Sequence, residues 1–206
     1  MTEGFVRSVQ LHALQEGEAR TGYPWVLPAV AALAAGVVLD PKVTYLIGEN
    51  GTGKSTVVEG IAIAAGMNPE GGSRHFSYAT RESHSPLSNA MTLARGTRRP
   101  RTEFFLRAES FFTTATYLES LQDPESLSGD EDSLAPYGGR SLHEQSHGES
   151  FLAVVLNRFG PDGFYLLDEP EAALSVQSCL TLLRRIHELV QQLCILDPME
   201  ARLSGV

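Results

Sequence analysis

Residues 43–56 read VTYLIGENGTGKST, and no other stretch narrows the possible folds as far. VTYLI is a short apolar run of β-type residues ended by Gly48. Lys54 and Ser55 follow the glycines, and helical spacing then places Val57, Val58, Ile61 and Ala64 on one side. Strand, glycine-rich loop and helix in that order match G-x-x-x-x-G-K-[S/T] in full. Gly48, Gly51 and Gly53 permit backbone angles and close approaches that a Cβ would block. The loop N–H groups then point at phosphate oxygens, and the start of the helix adds its positive end. Lys54 is placed to reach β- and γ-phosphates, and the Ser55 hydroxyl to ligate Mg2+. The candidate nucleotide-binding residues are therefore Gly48, Glu49, Asn50, Gly51, Thr52, Gly53, Lys54, Ser55 and Thr56, with ATP and Mg2+ as the ligands. The competing reading is a glycine-rich turn with an incidental lysine.

The rest of the chain alternates between strand and helix patterns. Residues 5–11 alternate as a half-buried strand does, and Pro28 opens a short helix over 28–35. Residues 68–101, rich in Ser, Gly, Arg and His, are expected to be irregular with one helix near 87–93. EFFLRAESFF (103–112) reads as a buried strand followed by helical residues, and DPESLSGDED (123–132) as a mobile acidic loop. Helix is expected at 151–159, strand at 164–167 and helix at 174–192. This predicts an α/β fold of P-loop NTPase type. Its mostly parallel sheet is flanked by helices, with an N-terminal β element and an irregular or helical insertion. Residues 1–206 are expected to form one domain, with the insertion over 67–145.

A second landmark is FYLLDEPEAALS, residues 164–175. Asp168 and Glu169 end a four-residue apolar strand, at the sheet edge where parallel sheets hold their ligands. Asp168 is the candidate Mg2+ ligand, directly or through water. Glu169 is the candidate catalytic group that polarises the attacking water. The competing reading makes Asp168 an N-cap, with Pro170 opening a helix. Farther upstream, SHGES (146–150) precedes an apolar helical run, with Ser146 suited to an N-cap and Glu149 to its capping box.

Taken together, these motifs resemble P-loop ATPases of the ABC type, close to the SMC-like and RecF-like branch, over roughly residues 43–192. FFLRAESFF, SLHEQSHGESF and LLDEPEAALS resemble stand-alone bacterial ATPases described as predicted AAA-family or ABC-like. The two landmarks correspond to the family's Walker A and Walker B motifs. A signature loop precedes Walker B in that class, and here Ser146 stands 22 residues before Asp168. The resemblance implies that Ser146, Gly148 and Glu149 act in trans, on the γ-phosphate held by a second copy. ATP would then join two copies and hydrolysis would loosen them. SHGES departs from the family's LSGGQ-like pattern at His147 and Glu149. The resemblance also sets AALS (172–175) against the opposite site and RAES (107–110) at a glutamine-containing lid loop. Glu109 stands in for the glutamine, and a helix cap by Glu109 or Ser110 is the competing role. Tyr23 and Trp25 are candidates to stack on adenine, with a core role as the alternative for Trp25.

With 206 residues, 42% of them apolar, the chain can bury one substantial core. Its 16 basic and 25 acidic side chains give a net charge of −9, which disfavours non-specific nucleic-acid binding. Arg95, Arg98, Arg99 and Arg101 are a candidate contact to DNA or a partner protein, or a solvated loop. Cys179 and Cys194 lack metal-ligand spacing and suit a reducing cytosol. No signal-like segment opens the chain, and its longest apolar stretch falls short of the ~20 residues of a membrane span. A cytoplasmic protein is expected. The expected function is hydrolysis of ATP to ADP and phosphate in an ATP-sandwiched homodimer. The alternatives are a truncated, non-hydrolysing nucleotide-binding fragment and a P-loop small-molecule kinase. Truncation is considered because the class continues into a strand ending in a switch histidine. Here residues 193–196 offer one short strand, and no histidine follows His187.

Overall fold

The computed structural model describes residues 4–14, 19–73, 85–120 and 142–200. It is a mixed α/β structure with a three-stranded antiparallel sheet and a two-stranded parallel one. It divides into two compact units, Met1–Pro69 with Ser73–Pro100, and Glu70–Gly72 with Arg101–Val206.

In the first unit β1 (Val6–Leu11) is the centre of a sheet, flanked by β2 (Val37–Val38) and β3 (Met91–Arg95). An extra residue on β1 interrupts its pairing with β3 between Val6 and Ser8. The bulge changes the strand's period, so Val6 and Val9 are both buried although they lie three apart. α1 (Pro28–Ala32) begins at a proline, whose fixed φ and missing N–H suit a first helical position, and passes into a 3-10 turn at Leu33–Ala35. α2 (Lys54–Ala65) buries Val57, Val58, Ile61, Ala62 and Ala65 and packs on β3 and on the 3-10 turn Pro86–Ala90. Arg95 Nη2 donates to the carbonyls of Ala64 and Ala65 at 3.1 and 3.4 Å, which satisfies the open end of α2.

Two expectations fail in this unit. VTYLI forms no strand: Tyr45, Leu46 and Ile47 are exposed and outside the sheet. The local chemistry opposes a strand start. Asp40 Oδ1 accepts from the amides of Lys42 and Val43, at 2.8 and 3.3 Å, and the Asp40 amide donates to Thr44 Oγ1 at 2.9 Å. This turn uses the groups that a ladder would need. The helix expected near 87–93 is the second failure. Helical character ends at Ala90, and Met91 turns extended to begin β3, where pairing with β1 outweighs local helical preference.

In the second unit β4 (Thr102–Arg107) and β5 (Gly163–Asp168) run parallel, in register from Thr102 opposite Gly163 to Arg107 opposite Asp168. Phe104, Phe105 and Leu106 are all buried, the continuous apolar run of a strand covered on both faces. α3 (Phe111–Ser120) and α4 (His147–Arg158) meet through Phe111 and Phe151, whose ring centroids lie 5.2 Å apart. α5 (Pro170–Ala173) is a single turn, and α6 (Val176–Glu200) packs on α4. Arg185 of α6 donates from Nη2 to the carbonyl of Phe159, just past α4, at 2.6 Å.

The strand expected at 193–196 is part of α6 instead. Extending an existing helix by a residue adds a hydrogen bond at little entropic cost, whereas a new strand needs a partner. Nor is the sheet mostly parallel among the described residues: parallel pairing is confined to β4 and β5. The acidic stretch 123–132 lies outside the described residues.

Candidate functional site

The glycine-rich loop 48–53 belongs to the first unit and runs directly into α2. Lys54 is the first helical residue, and Gly53 before it has φ 94° and ψ 19°. A Cβ at Gly53 would stand 2.9 Å from the Leu27 Cβ, so conformation and space both require glycine here. Leu27 leads into α1 and therefore packs on the loop, and the Ala29 amide donates to the Thr52 carbonyl at 3.0 Å. Thr52 Oγ1 donates to the Glu49 carbonyl at 2.8 Å and closes the turn. Lys54 Nζ donates to the carbonyls of Gly48 and Glu49 at 2.8 and 2.9 Å, so the ammonium arches over the loop. Ser55 and Thr56 lie in the first turn of α2, while Gly48, Glu49, Asn50 and Gly51 are exposed. All nine residues chosen from the sequence thus share one turn at a helix N-terminus, an arrangement suited to an anion. Tyr23 is exposed. Trp25 is half-buried, with the Arg20 guanidinium carbon 5.1 Å from its ring centroid, so it is not a core residue.

The carboxylates belong to the second unit. Asp168 ends β5 opposite Arg107, the last residue of β4. Its Oδ2 lies 3.4 Å from Arg107 Nε, and Arg107 Nη2 lies 3.2 Å from Glu109 Oε2. Asp168 is not the helix cap: the N-cap of α5 is Glu169, whose side chain makes no capping hydrogen bond. Glu169 has φ 48° and ψ 46°, a left-handed conformation. For a residue with a Cβ this costs about 1–2 kcal/mol. Pro170 contributes, since it disfavours the right-handed helical region for the residue before it. Strain of this kind gathers at functional positions.

Among the described residues no three His, Cys, Asp or Glu side chains gather into a metal-binding group. The metal donors chosen from the sequence are the Asp168 carboxylate in one unit and the Ser55 hydroxyl in the other. Each taken by itself is a hard oxygen of the kind Mg2+ accepts, and Mg2+ takes one or two carboxylates and fills its remaining positions with water and phosphate oxygens.

SHGES opens α4 with a complete capping box. The Glu149 amide donates to Ser146 Oγ at 3.4 Å, and the Ser146 amide donates to Glu149 Oε2 at 2.9 Å. Gly148 faces α5, where a Cβ would stand 3.1 Å from the Ala173 carbonyl oxygen. Ser146, Gly148 and Glu149 therefore each have a structural task. The Glu149 carboxylate already holds the positive end of α4 that a phosphate would use. In AALS, Ser175 accepts from the Ser178 amide at 3.2 Å and caps α6. In RAES, Ser110 Oγ donates to the Glu70 carbonyl, and Glu109 pairs with Arg107.

The four arginines are divided between the units: Arg95 closes α2 in the first, and Arg101 lies 4.0 Å from Asp162 in the second. The residue that sequence reasoning missed is Arg107. The signal was a basic residue ending FFLR and an acidic one ending FYLLD, and only strand register could pair them.

Comparison with protein-family models, curated proteins and solved structures found no match. No helix among the described residues is long and apolar enough to cross a membrane.

Proposed function

We propose that this chain binds MgATP and hydrolyses it to ADP and phosphate, as a P-loop ATPase resembling the ABC type. The observation that carries the reading is the phosphate loop. A full G-x-x-x-x-G-K-S sequence runs into the N-terminus of α2, with Gly53 left-handed at the junction and Lys54 Nζ over the loop. In this reading Lys54 and the loop amides hold the phosphates, while Ser55 and Asp168 hold Mg2+. The ion would neutralise charge on the phosphate oxygens. Glu169 accepts the proton of the attacking water, and its side chain makes no capping hydrogen bond that would compete with that role. A cytoplasmic setting belongs to the same proposal.

Calorimetry tests the loop assignment. Lys54→Ala removes a charge-assisted partner of the phosphates and should weaken MgATP binding by about 10- to 100-fold, in line with the ~1.5–3 kcal/mol of such bonds. Equal affinity in the variant and the parent chain sinks the assignment. A phosphate-release assay separates hydrolysis from kinase action. Label passing from ATP to a small acceptor, and never to water, would favour the kinase.

The ATP-joined homodimer is a further part of the proposal. Glu169→Gln keeps shape but removes the base, and should give a dimer at saturating MgATP that Ser146→Arg abolishes. Light scattering reads both, and a monomeric Glu169→Gln chain counts against the dimer.

A further inference from the structure

Arg107 and Asp168 end adjacent parallel strands in register, so their side chains leave the same face of the sheet at the same depth. The Asp168 side chain is 7% exposed and that of Arg107 21%, whereas the Glu109 side chain is 83% exposed. The guanidinium thus touches two carboxylates of different character, a sequestered one through Nε and a solvent-facing one through Nη2. A buried carboxylate with a cation beside it is already neutralised. A divalent ion arriving at Asp168 would meet that positive charge in a medium that screens poorly.

We propose that Arg107 is the internal counter-ion of Asp168, and that Glu109 is the place to which it withdraws when a divalent cation takes Asp168. This deepens the ATPase reading and rests on it for the assignment of Asp168 to the metal. Glu109 suits the task because it already contacts Nη2 of the same guanidinium, so torsions of the arginine stem that carry Nε off Asp168 can keep the charge paired. Arg107 is a positioning residue here. It places a positive charge 3.4 Å from the Asp168 carboxylate, and so sets how strongly a metal must bind to replace it.

The test is Mn2+ binding to the 206-residue chain. Electron paramagnetic resonance follows loss of the free-ion signal, with a non-hydrolysable ATP analogue present. Arg107→Met removes the competing charge and should raise Mn2+ affinity about tenfold, within the range of coupled binding sites. Arg107→Lys keeps the charge and should stay near the parent value. Glu109→Gln, at an exposed position that does not threaten folding, should weaken Mn2+ binding several-fold because the arginine loses its second partner. Asp168→Asn should erase the gain made by Arg107→Met. A lower melting temperature for Arg107→Met with unchanged or weaker Mn2+ binding would show an ordinary structural ion pair and overturn the proposal. Unchanged Mn2+ binding in Glu109→Gln would overturn the withdrawal step. If no variant binds Mn2+, both this inference and the metal assignment fall. If Lys54→Ala alone loses the nucleotide while Arg107→Met leaves Mn2+ affinity unchanged, the ATP reading stands and this inference does not.

Discussion

FFL at 104–106 and YLI at 45–47 are similar words with opposite fates. Phe105 is 0% exposed at the centre of β4, whereas Ile47 is 93% exposed and belongs to no strand. Both runs carry aromatic and aliphatic side chains with β preference, so composition does not separate them. Hydrogen-bond partners do. β4 has β5 alongside it over its whole length, and Gly72 as a further antiparallel bridge at Phe105. The 43–47 run begins instead in the Asp40 turn, which draws off the amide of Val43. An apolar run becomes a strand when something satisfies its backbone. Otherwise its apolar side chains stay in water, however strandlike its text.

Amide hydrogen exchange is the sharpest way to break that contrast. The amides of Phe104, Phe105 and Leu106 should exchange about a thousandfold or more slowly than those of Tyr45, Leu46 and Ile47, since core strands open only with much of the fold. Comparable protection at 45–47 would mean that this run has a strand partner in solution.

Stability gives the next largest effect. Phe105→Ala should cost about 3–5 kcal/mol in urea unfolding through the cavity it leaves. A loss below ~1 kcal/mol would show that β4 is not the buried core of its unit.

The ends of the second unit's helices extend the comparison from strands to caps. Ser146→Ala removes a satisfied N-cap and should destabilise by about 1 kcal/mol. Glu169→Gly relieves a left-handed residue and should stabilise by about the same amount, roughly 1 kcal/mol. Thermal melts of the two variants should therefore shift in opposite directions. A Glu169→Gly chain that melts lower would contradict the strain assigned to that residue.

The smallest effect belongs to the exposed run. Ile47→Thr should change stability by less than about 0.5 kcal/mol. A loss of several times that amount would place Ile47 in an interface that the isolated chain does not display.

Short-range signals were legible in the text. Pro28, Lys54 and Ser146 mark helix starts because a fixed φ, a glycine junction and a capping box act within three or four residues. The glycine turn that runs into α2 and the strand ending at Asp168 were readable for the same reason. The β1 bulge, β3 in place of a helix, and the continuation of α6 through 193–196 were not. Each depends on a pairing, or the lack of one, between residues far apart in sequence.

The candidate site divides along the same line. The sequence alone determined which oxygens, amides and ammonium the loop can present, because glycine placement and helix start are properties of neighbouring residues. It also determined that Ser146 and Glu149 would cap one another. Only the tertiary structure decided that Asp168 lies beside Arg107, that Gly148 lies against the carbonyl of Ala173, and that VTYLI stays outside the sheet. The physical reason is register. A strand's text allows many partners and offsets, and a shift of one residue turns every side chain to the opposite face, so which charges meet is settled when the ladders form.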